Sequence, residues 1–468
     1  MEHETLTADY LIVGAGLLGL AFADTLIAES SANVIIVDRN ARPGGHWNDA
    51  YPFVRLHLPS AFYGVSSRHL GTDRLVTTGT NAGLYENASA PEILSYFDKV
   101  MEETLLPSGR VRYLPMSDYQ GDLEQDHKVV SRLSGRTVRV RANKVVDATT
   151  TDTRVPATHA PSFRVDPSRR CVPINELVKL AAAYERYVII GAGKTAIDAC
   201  IWLLEQGVAS ERIRWIKPRE AWLQNRAHIQ PGEESLGIVA SFGDMAEAAA
   251  QAESIDDLFA RLEAARVLMR VDQTVTPTMY HCATISEGEL LLLRQIKDVV
   301  RLGHVMRIEV DQIVLERGSV PTRDGELYVH CSSAGIKRGP VVPVFMDTRI
   351  TLQAVRWCSP AISAALIAHL EATRSDVSAK NTFCAPLPYP DRATDFIPVL
   401  LGHMINDFLC RSDAELRAWM LRCRLNPGSV VAAHAKPKDE PWKRALDRMR
   451  EHGQAAVAKL QRFAEQLG

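Results

Sequence analysis

Two stretches, YLIVGAGLLG at 10–19 and YVIIGAGKTA at 187–196, constrain this chain more than anything else in it. Each is an apolar run of strand length that breaks at glycine and continues into an apolar helical pattern. A further strand follows each helix, VIIVD at 34–38 and IRWIK at 213–217. Strand, tight turn, helix and strand make a βαβ unit, which requires a parallel sheet and a right-handed crossover. The chain is therefore expected to be α/β, with two Rossmann-like dinucleotide-binding domains.

The turns carry a chemical expectation. Gly14, Gly16 and Gly19 stand as GxGxxG. The first glycine permits the turn, the second lets backbone N–H groups approach a pyrophosphate, and the third lets helix and strand pack closely. Asp38 ends the next strand, where it would accept hydrogen bonds from ribose hydroxyls, as an NAD or FAD site requires. Gly191, Gly193 and Ala196 repeat the pattern as GxGxxA. Lys194 does not make this turn a phosphate loop, because GxxxxGK[ST] needs glycine where Val188 stands. After the second unit, Arg214, Lys217 and Arg219 occupy the region where an NAD site places an acid. Cations there suit a 2′-phosphate and favour NADPH over NADH; the alternative is a solvated basic turn.

Composition narrows the partners. Lys plus Arg total 54 against 56 Asp plus Glu, a net charge of −2, so no global field recruits nucleic acid or an anionic membrane. The eight cysteines (171, 200, 282, 331, 358, 384, 410 and 423) include no CxxC pair and no zinc-type spacing with histidine. A reduced, cytoplasmic chain without a metal site or a redox-active cysteine pair is expected. MEHETLTADY is too polar and acidic for a targeting signal, and the apolar stretch at 10–23 is cut by glycines and too short to span a membrane.

Along the chain, residues 1–160 read as the first part of the first domain, with short strands from VRYLPMSDYQG to KVVDATT forming an appended β-meander. TDTRVPATHAPSFRVDPSRR reads as a linker. Residues 185–325 form the second domain, with a helical excursion at 241–301 in which Ser254 and Ser286 are N-caps and Ser286 with Glu289 makes a capping box. RIEVDQIVLE and ELYVHCSS are expected to bring the chain back toward the first sheet, with 326–390 as the return segment and 391–468 as a helical C-terminal extension.

The segment GGHWNDAYPFVRLHLPS at 44–60 sharpens the reading. It resembles the GG-x-W…YP-x-x-R-x-D-x-P-S segment of class B flavoprotein monooxygenases, a group that includes flavin-containing, Baeyer–Villiger and N-hydroxylating enzymes. Gly44, Gly45, Trp47, Tyr51, Pro52, Arg55, Pro59 and Ser60 match in order. The match is good over 8–66 and 185–225 and loose over 327–372. It implies an FAD domain into which an NADPH domain is inserted, with Gly45 and Trp47 against the FAD. Trp47 would otherwise be a core tryptophan, and Arg55 a surface ion pair. Three departures stand out. His57 replaces the aspartate near the flavin, Phe163 is followed by RVDPSRR in place of the FxGxxxHxxx[YF] signature, and the C-terminal GD motif is missing. By position, Gln353 and the helix from about Ser359 would close over the flavin, or that helix would simply pack on the core.

The expected FAD site thus comprises Gly14, Gly16, Gly19, Asp38, Arg39, Gly45, His46, Trp47, Arg55, Met116 and Gln353. The NADPH site comprises Gly191, Gly193, Lys194, Thr195, Ala196, Arg214, Lys217 and Arg219, and His57 and Arg55 are the catalytic candidates. The function implied is an NADPH-dependent FAD monooxygenase that uses O2 to hydroxylate or N-oxygenate a small organic molecule. The alternatives are an NADPH:acceptor oxidoreductase without oxygen insertion and a non-catalytic FAD/NADPH-binding redox sensor.

Overall fold

The computed structural model describes residues 4–123, 127–333 and 335–467. The chain begins with β1 (Glu4–Val13), α1 (Leu17–Glu29), β2 (Val34–Val37), α2 (Ala90–Val100), β3 (Val111–Leu114), β4 (Ser117–Tyr119), β5 (His127–Ser131) and β6 (Thr137–Asp147). Strands β3, β2, β1 and β6 lie side by side and parallel, while β5 runs antiparallel along the first half of β6 and β4 antiparallel to β5, as the expected meander. The VIIV run of β2 is buried at every position, because a parallel strand between helical layers is covered on both faces.

The second unit contains β7 (Arg164–Val165), β8 (Cys171–Pro173), β9 (Arg186–Ile190), α3 (Lys194–Glu205), β10 (Ile213–Ile216) and β11 (Ala221–Asn225). It continues through α4 (Leu236–Gln251), α5 (Ile255–Ala264), β12 (Leu268–Met269), β13 (Met279–Ile285), α6 (Glu287–Leu293) and β14 (Asp298–Val300). It ends with β15 (Val305–Ile308), β16 (Gln312–Leu315), β17 (Gly318–Pro321) and β18 (Glu326–His330). A parallel sheet runs β14-β10-β9-β18-β8, with a meander β17-β16-β15-β7 and a small sheet β12-β11-β13 beside it.

Three expectations change here. The linker after residue 151 already contains β7, which pairs with β15, and β8 follows it at the edge of the second sheet. The excursion at 241–301 is not all helix: β12 and β13 flank β11, and β14 extends the second parallel sheet. Short apolar runs such as these fit either periodicity, and only pairing decides between them. Ser254 and Ser286 do cap α5 and α6, the latter with the Glu289 box. Finally, β18 pairs with β9 and so belongs to the second sheet.

The chain rejoins the first sheet through β19 (Arg349–Thr351), parallel to the end of β6. Then follow α7 (Pro360–Thr373), α8 (Val377–Phe383), α9 (Phe396–Ser412), α10 (Ala414–Arg422), α11 (Pro427–His434) and α12 (Glu440–Leu467). Helices α1 and α7 are apolar on nearly every side and bury against each other. The amphipathic α12 folds back on α4 and α9, where Leu460 and Phe463 join a core with Trp222, Phe259, Tyr280 and Phe396. No described helix is long and apolar enough to cross a membrane. The cysteines are not all reduced: Cys282 and Cys358, 76 residues apart, are bonded, with Cα atoms 6.1 Å apart. Sequence spacing could not reveal a pair that only the packing of β13 against the loop before α7 creates.

Candidate active site between two glycine turns

At the first turn Gly14 adopts φ +106°, and a Cβ on Gly19 would lie 2.0 Å from the Gly14 carbonyl oxygen. Gly45, at φ +56°, presses on Gly16, where a Cβ would come 3.1 Å from the Gly16 Cα, and the Gly44 N–H donates to the Ala15 carbonyl (2.9 Å). The GG pair and the GxGxxG turn therefore form one compact piece of backbone. Asp38 braces it, accepting from the Ala15 N–H (2.6 Å) and the Asn40 N–H (2.7 Å). Helix α1 starts at Gly16 with no side-chain cap and no acid in its first turn. Its first N–H groups and dipole thus have no side-chain cap or acid of their own, which suits a diphosphate. The Met116 N–H donates to the Asn40 carbonyl (3.0 Å), which sets Met116 beside the end of β2, and Arg39 is exposed there.

The second turn repeats the geometry. Gly191 has φ +145°, and a Cβ on it would lie 3.1 Å from the Cys331 carbonyl; one on Gly193 would meet nothing within 4 Å. Helix α3 likewise starts at Gly193 without a side-chain cap or a first-turn acid. The cations do not behave as the sequence suggests. Arg214 is buried in β10 and donates to Asp298 (2.9 Å) and the Pro321 carbonyl (2.8 Å). Lys217 is 2% exposed, ion-paired with Glu220, and 4.3 Å above the Trp215 ring. Arg219 forks onto Asp391 (2.7 and 3.2 Å) and, with its side chain 35% exposed, is the only one of the three that solvent reaches appreciably. Asp298 and Asp391 come from far along the chain, which is why the unit alone reads as a free basic patch, although Glu220 lies only three residues beyond Lys217.

Segment 44–60 connects the two turns. Trp47 is 8% exposed and its Nε1–H donates to the Tyr63 hydroxyl (2.6 Å); the His46 ring lies 5.1 Å from the Trp47 ring, and burial lowers its pKa to about 4. The Tyr51 hydroxyl donates to Asp198 on α3 (2.5 Å), Asp198 also pairs with Lys194, and Thr195 adjoins the same hydroxyl. Phe53 stacks on Trp202 of α3, centroids 4.6 Å apart. His57 follows, near Lys194, Arg226 and Glu289; burial, then the two cations, holds its pKa well below the usual imidazole value.

Arg226 was not foreseen. It is 2% exposed and donates to the His57 carbonyl (3.0 Å), Glu289 (3.0 Å), the Thr284 carbonyl (3.2 Å) and Asn81. Burial opposes the charge on Glu289, yet Arg226, Lys194 and hydrogen bonds from Asn81 and the Ser286 N–H hold its carboxyl at about 2. The capping box showed half of what Glu289 does; Arg226, after a short strand, gave no signal. Two expected residues lie apart from this cluster. Arg55 is exposed and donates to the Asn87 carbonyl (3.0 Å), and Gln353 clasps the Val342 backbone through both ends of its amide (2.7 and 3.4 Å). Neither side chain is left free to close over a ring.

Tyr63 also lines a cavity of about 580 Å³ with Phe62, Phe242, Met245, Trp357, His403 and Met404. One wall is ionic, Arg356 and Arg411 both bound to Asp407 (3.0 and 2.5 Å). Burial lowers the pKa of His403 to about 4, and its Nδ1 accepts the Trp357 N–H (3.4 Å), which leaves the other ring nitrogen to carry the proton. Residues 359–362 line the cavity too, so the first turn of α7 borders it while the body of the helix packs on α1.

Comparison with known proteins agrees with this fold. The family NAD(P)-binding Rossmann-like domain matches residues 12–62. Uncharacterized proteins of Mycobacterium bovis and Mycobacterium tuberculosis are each 46% identical over 425 residues, which cover 90% of this chain and 78% of theirs. Among solved structures, the polycyclic ketone monooxygenase of the thermophilic fungus Thermothelomyces thermophila superposes with a TM-score of 0.53 at 13% identity, covering 93% of this chain and 89% of that one. An oxidized steroid monooxygenase bound to NADP gives 0.50 at 14% identity, covering 78% and 85%. The chain belongs to one family with these mycobacterial proteins, and its fold is that of the class B flavoprotein monooxygenases.

Proposed function

We propose that this protein is an NADPH-dependent FAD monooxygenase that oxygenates a bulky, largely apolar small molecule by hydroxylation or N-oxygenation. The observation that carries the reading is the pair of uncapped, acid-free helix starts joined by segment 44–60, which leads through Trp47 and Tyr63 into the apolar cavity. Both turns fit a dinucleotide: their glycines hold backbone that other residues would strain or block, and the space over Gly193 is open. The turn of Gly14, Gly16 and Gly19, with Asp38, Gly45 and Met116, would hold FAD, and that of Gly191, Gly193 and Thr195, with Arg219, would hold NADPH. Held by these residues, FAD would supply hydride acceptance and O2 activation, and NADPH the reducing equivalents.

The chain's own residues position and insulate. His57 stays neutral near pH 7, so it offers one ring N–H and one lone pair rather than a charge. Arg226 fixes the His57 carbonyl and is itself fixed by Glu289. The aromatic walls of the cavity, Phe62, Phe242 and Trp357, exclude water from the place where substrate would react. A second reading, an oxidoreductase that inserts no oxygen, draws on the stretch after Phe163, which forms β7 and a turn in place of the monooxygenase signature.

The test is to reconstitute the protein with FAD, add NADPH without air, then admit isotopically labelled O2 with apolar aromatic compounds and amines. Flavin bleaching followed by labelled product supports the proposal. Bleaching with electron transfer but no label selects the second reading, and failure to take up FAD removes both.

A further inference from the structure

Strand β13 carries an irregularity with a purpose. Its register against β11 runs Trp222↔Tyr280 and then Gln224↔Thr284, so β13 spends two more residues than its partner over this step. Cys282 lies in this bulge at φ +56°, and bulges re-aim side chains out of the ladder. Cys358, in the turn before α7, is also left-handed, at φ +47°. Neither residue is glycine, and two such positions facing each other, Cα atoms 6.1 Å apart, are held by the bond between them.

We propose that Cys282–Cys358 is a reversible thiol–disulfide modification site whose redox state sets access to the cavity. Both cysteines are half-buried, and Cys358 lines the cavity. The other six are free thiols, five buried and one, Cys171, half-buried. A single accessible pair among buried thiols is the pattern of a redox site rather than of a disulfide framework. The bond ties β13 to the loop that carries Trp357. That indole donates to the Tyr280 hydroxyl (3.1 Å) and packs near Phe396, Phe242 and His403, so it forms part of the cavity wall.

In the modification a dithiol reductant gives two electrons and two protons. The S–S bond breaks, Cys282 and Cys358 each gain a proton, and the reductant closes to its own disulfide; an oxidant such as diamide reverses the change. Reduction frees both left-handed positions to relax, and the Trp357 loop is then held by hydrogen bonds, packing and the Arg356–Asp407 ion pair. This consequence requires no bound cofactor.

The experiment uses the full-length wild-type protein in its native state, treated with dithiothreitol or with diamide. Non-reducing peptide mapping follows the bond, and 8-anilinonaphthalene-1-sulfonate, read by energy transfer from tryptophan, follows the cavity. The expected result is a 282–358 crosslinked peptide in the oxidised protein, lost under native reduction and restored by diamide, with a several-fold change in dye affinity between the two states. Cys282→Ser should bind the dye as the reduced protein does, with or without diamide. Two free thiols after diamide, a bond that opens only on denaturation, or equal dye affinity in both states would overturn the proposal.

Discussion

The two glycine turns have nearly the same backbone and opposite surroundings. Behind the first stands a single acid, Asp38, which closes the turn by holding two backbone N–H groups. Behind the second stand three cations, two of them buried, and all are spent on carboxylates: Arg214 on Asp298, Lys217 on the nearby Glu220 and Arg219 on Asp391. The first turn is also backed closely by the GG pair, whereas a Cβ on Gly193 in the second would meet nothing within 4 Å. The lesson is that a glycine pattern specifies how backbone meets a diphosphate, while the charges beyond it serve the fold first and the ligand only with what is left exposed.

This contrast can be broken in several places. The largest effect is expected for Gly19→Ala, whose Cβ would sit 2.0 Å from the Gly14 oxygen: a loss above about 4 kcal/mol, seen as a collapsed urea midpoint and no flavin band after reconstitution. A stable, yellow variant would show that the first turn has slack. Next, Lys217→Ala leaves Glu220 buried with only Arg301 beside it, and should cost about 3 kcal/mol while leaving the preference for NADPH over NADH almost unchanged. Should the coenzyme ratio shift strongly at intact stability, Lys217 reads the phosphate after all, and the contrast drawn above fails. Arg219→Ala is the variant expected to move that ratio.

Asp38→Asn should cost about 2 kcal/mol, since charged acceptors to two N–H groups become neutral or mismatched, and should weaken FAD binding without affecting NADPH. Acid sharpens the comparison from both sides. His46 beside the first turn and His330 at the strand end beside the second are each held near pKa 4, His46 by burial and His330 by burial and then by His159. Because both folded values lie below 6.5, the unfolded chain takes up protons first, and stability is lost as pH falls from about 6.5 through about 4. Together they should lower unfolding free energy by several kcal/mol across that window. A urea midpoint constant from pH 7 to 4 would contradict this. The smallest effect on stability belongs to Gly193→Ala, within about 0.5 kcal/mol, because its Cβ meets nothing. NADPH titration should nonetheless show weakened binding, the reverse of the Gly19 result.

Much of this was legible in advance for identifiable reasons. The βαβ units announce themselves because strand, glycine turn and apolar helix are local patterns, and Ser286 with Glu289 did so because a capping box spans only four residues. The excursion was misjudged because β12 and β14 are two and three residues long and exist only through their neighbours. Arg226, central to the cluster around His57, was missed because its partners are 169, 145, 63 and 58 residues away in sequence.

By itself the sequence determined that two glycine turns between strand and helix would form, because a glycine's freedom at φ above zero and the period of an apolar helix are properties of a few adjacent residues. Only the tertiary structure decided which charges remain available, which histidines stay neutral, and that Cys282 would meet Cys358. Those depend on partners brought from distant segments into a low-dielectric interior, where an ion is tolerated only with its counterpart and a thiol reacts only with what packing sets beside it.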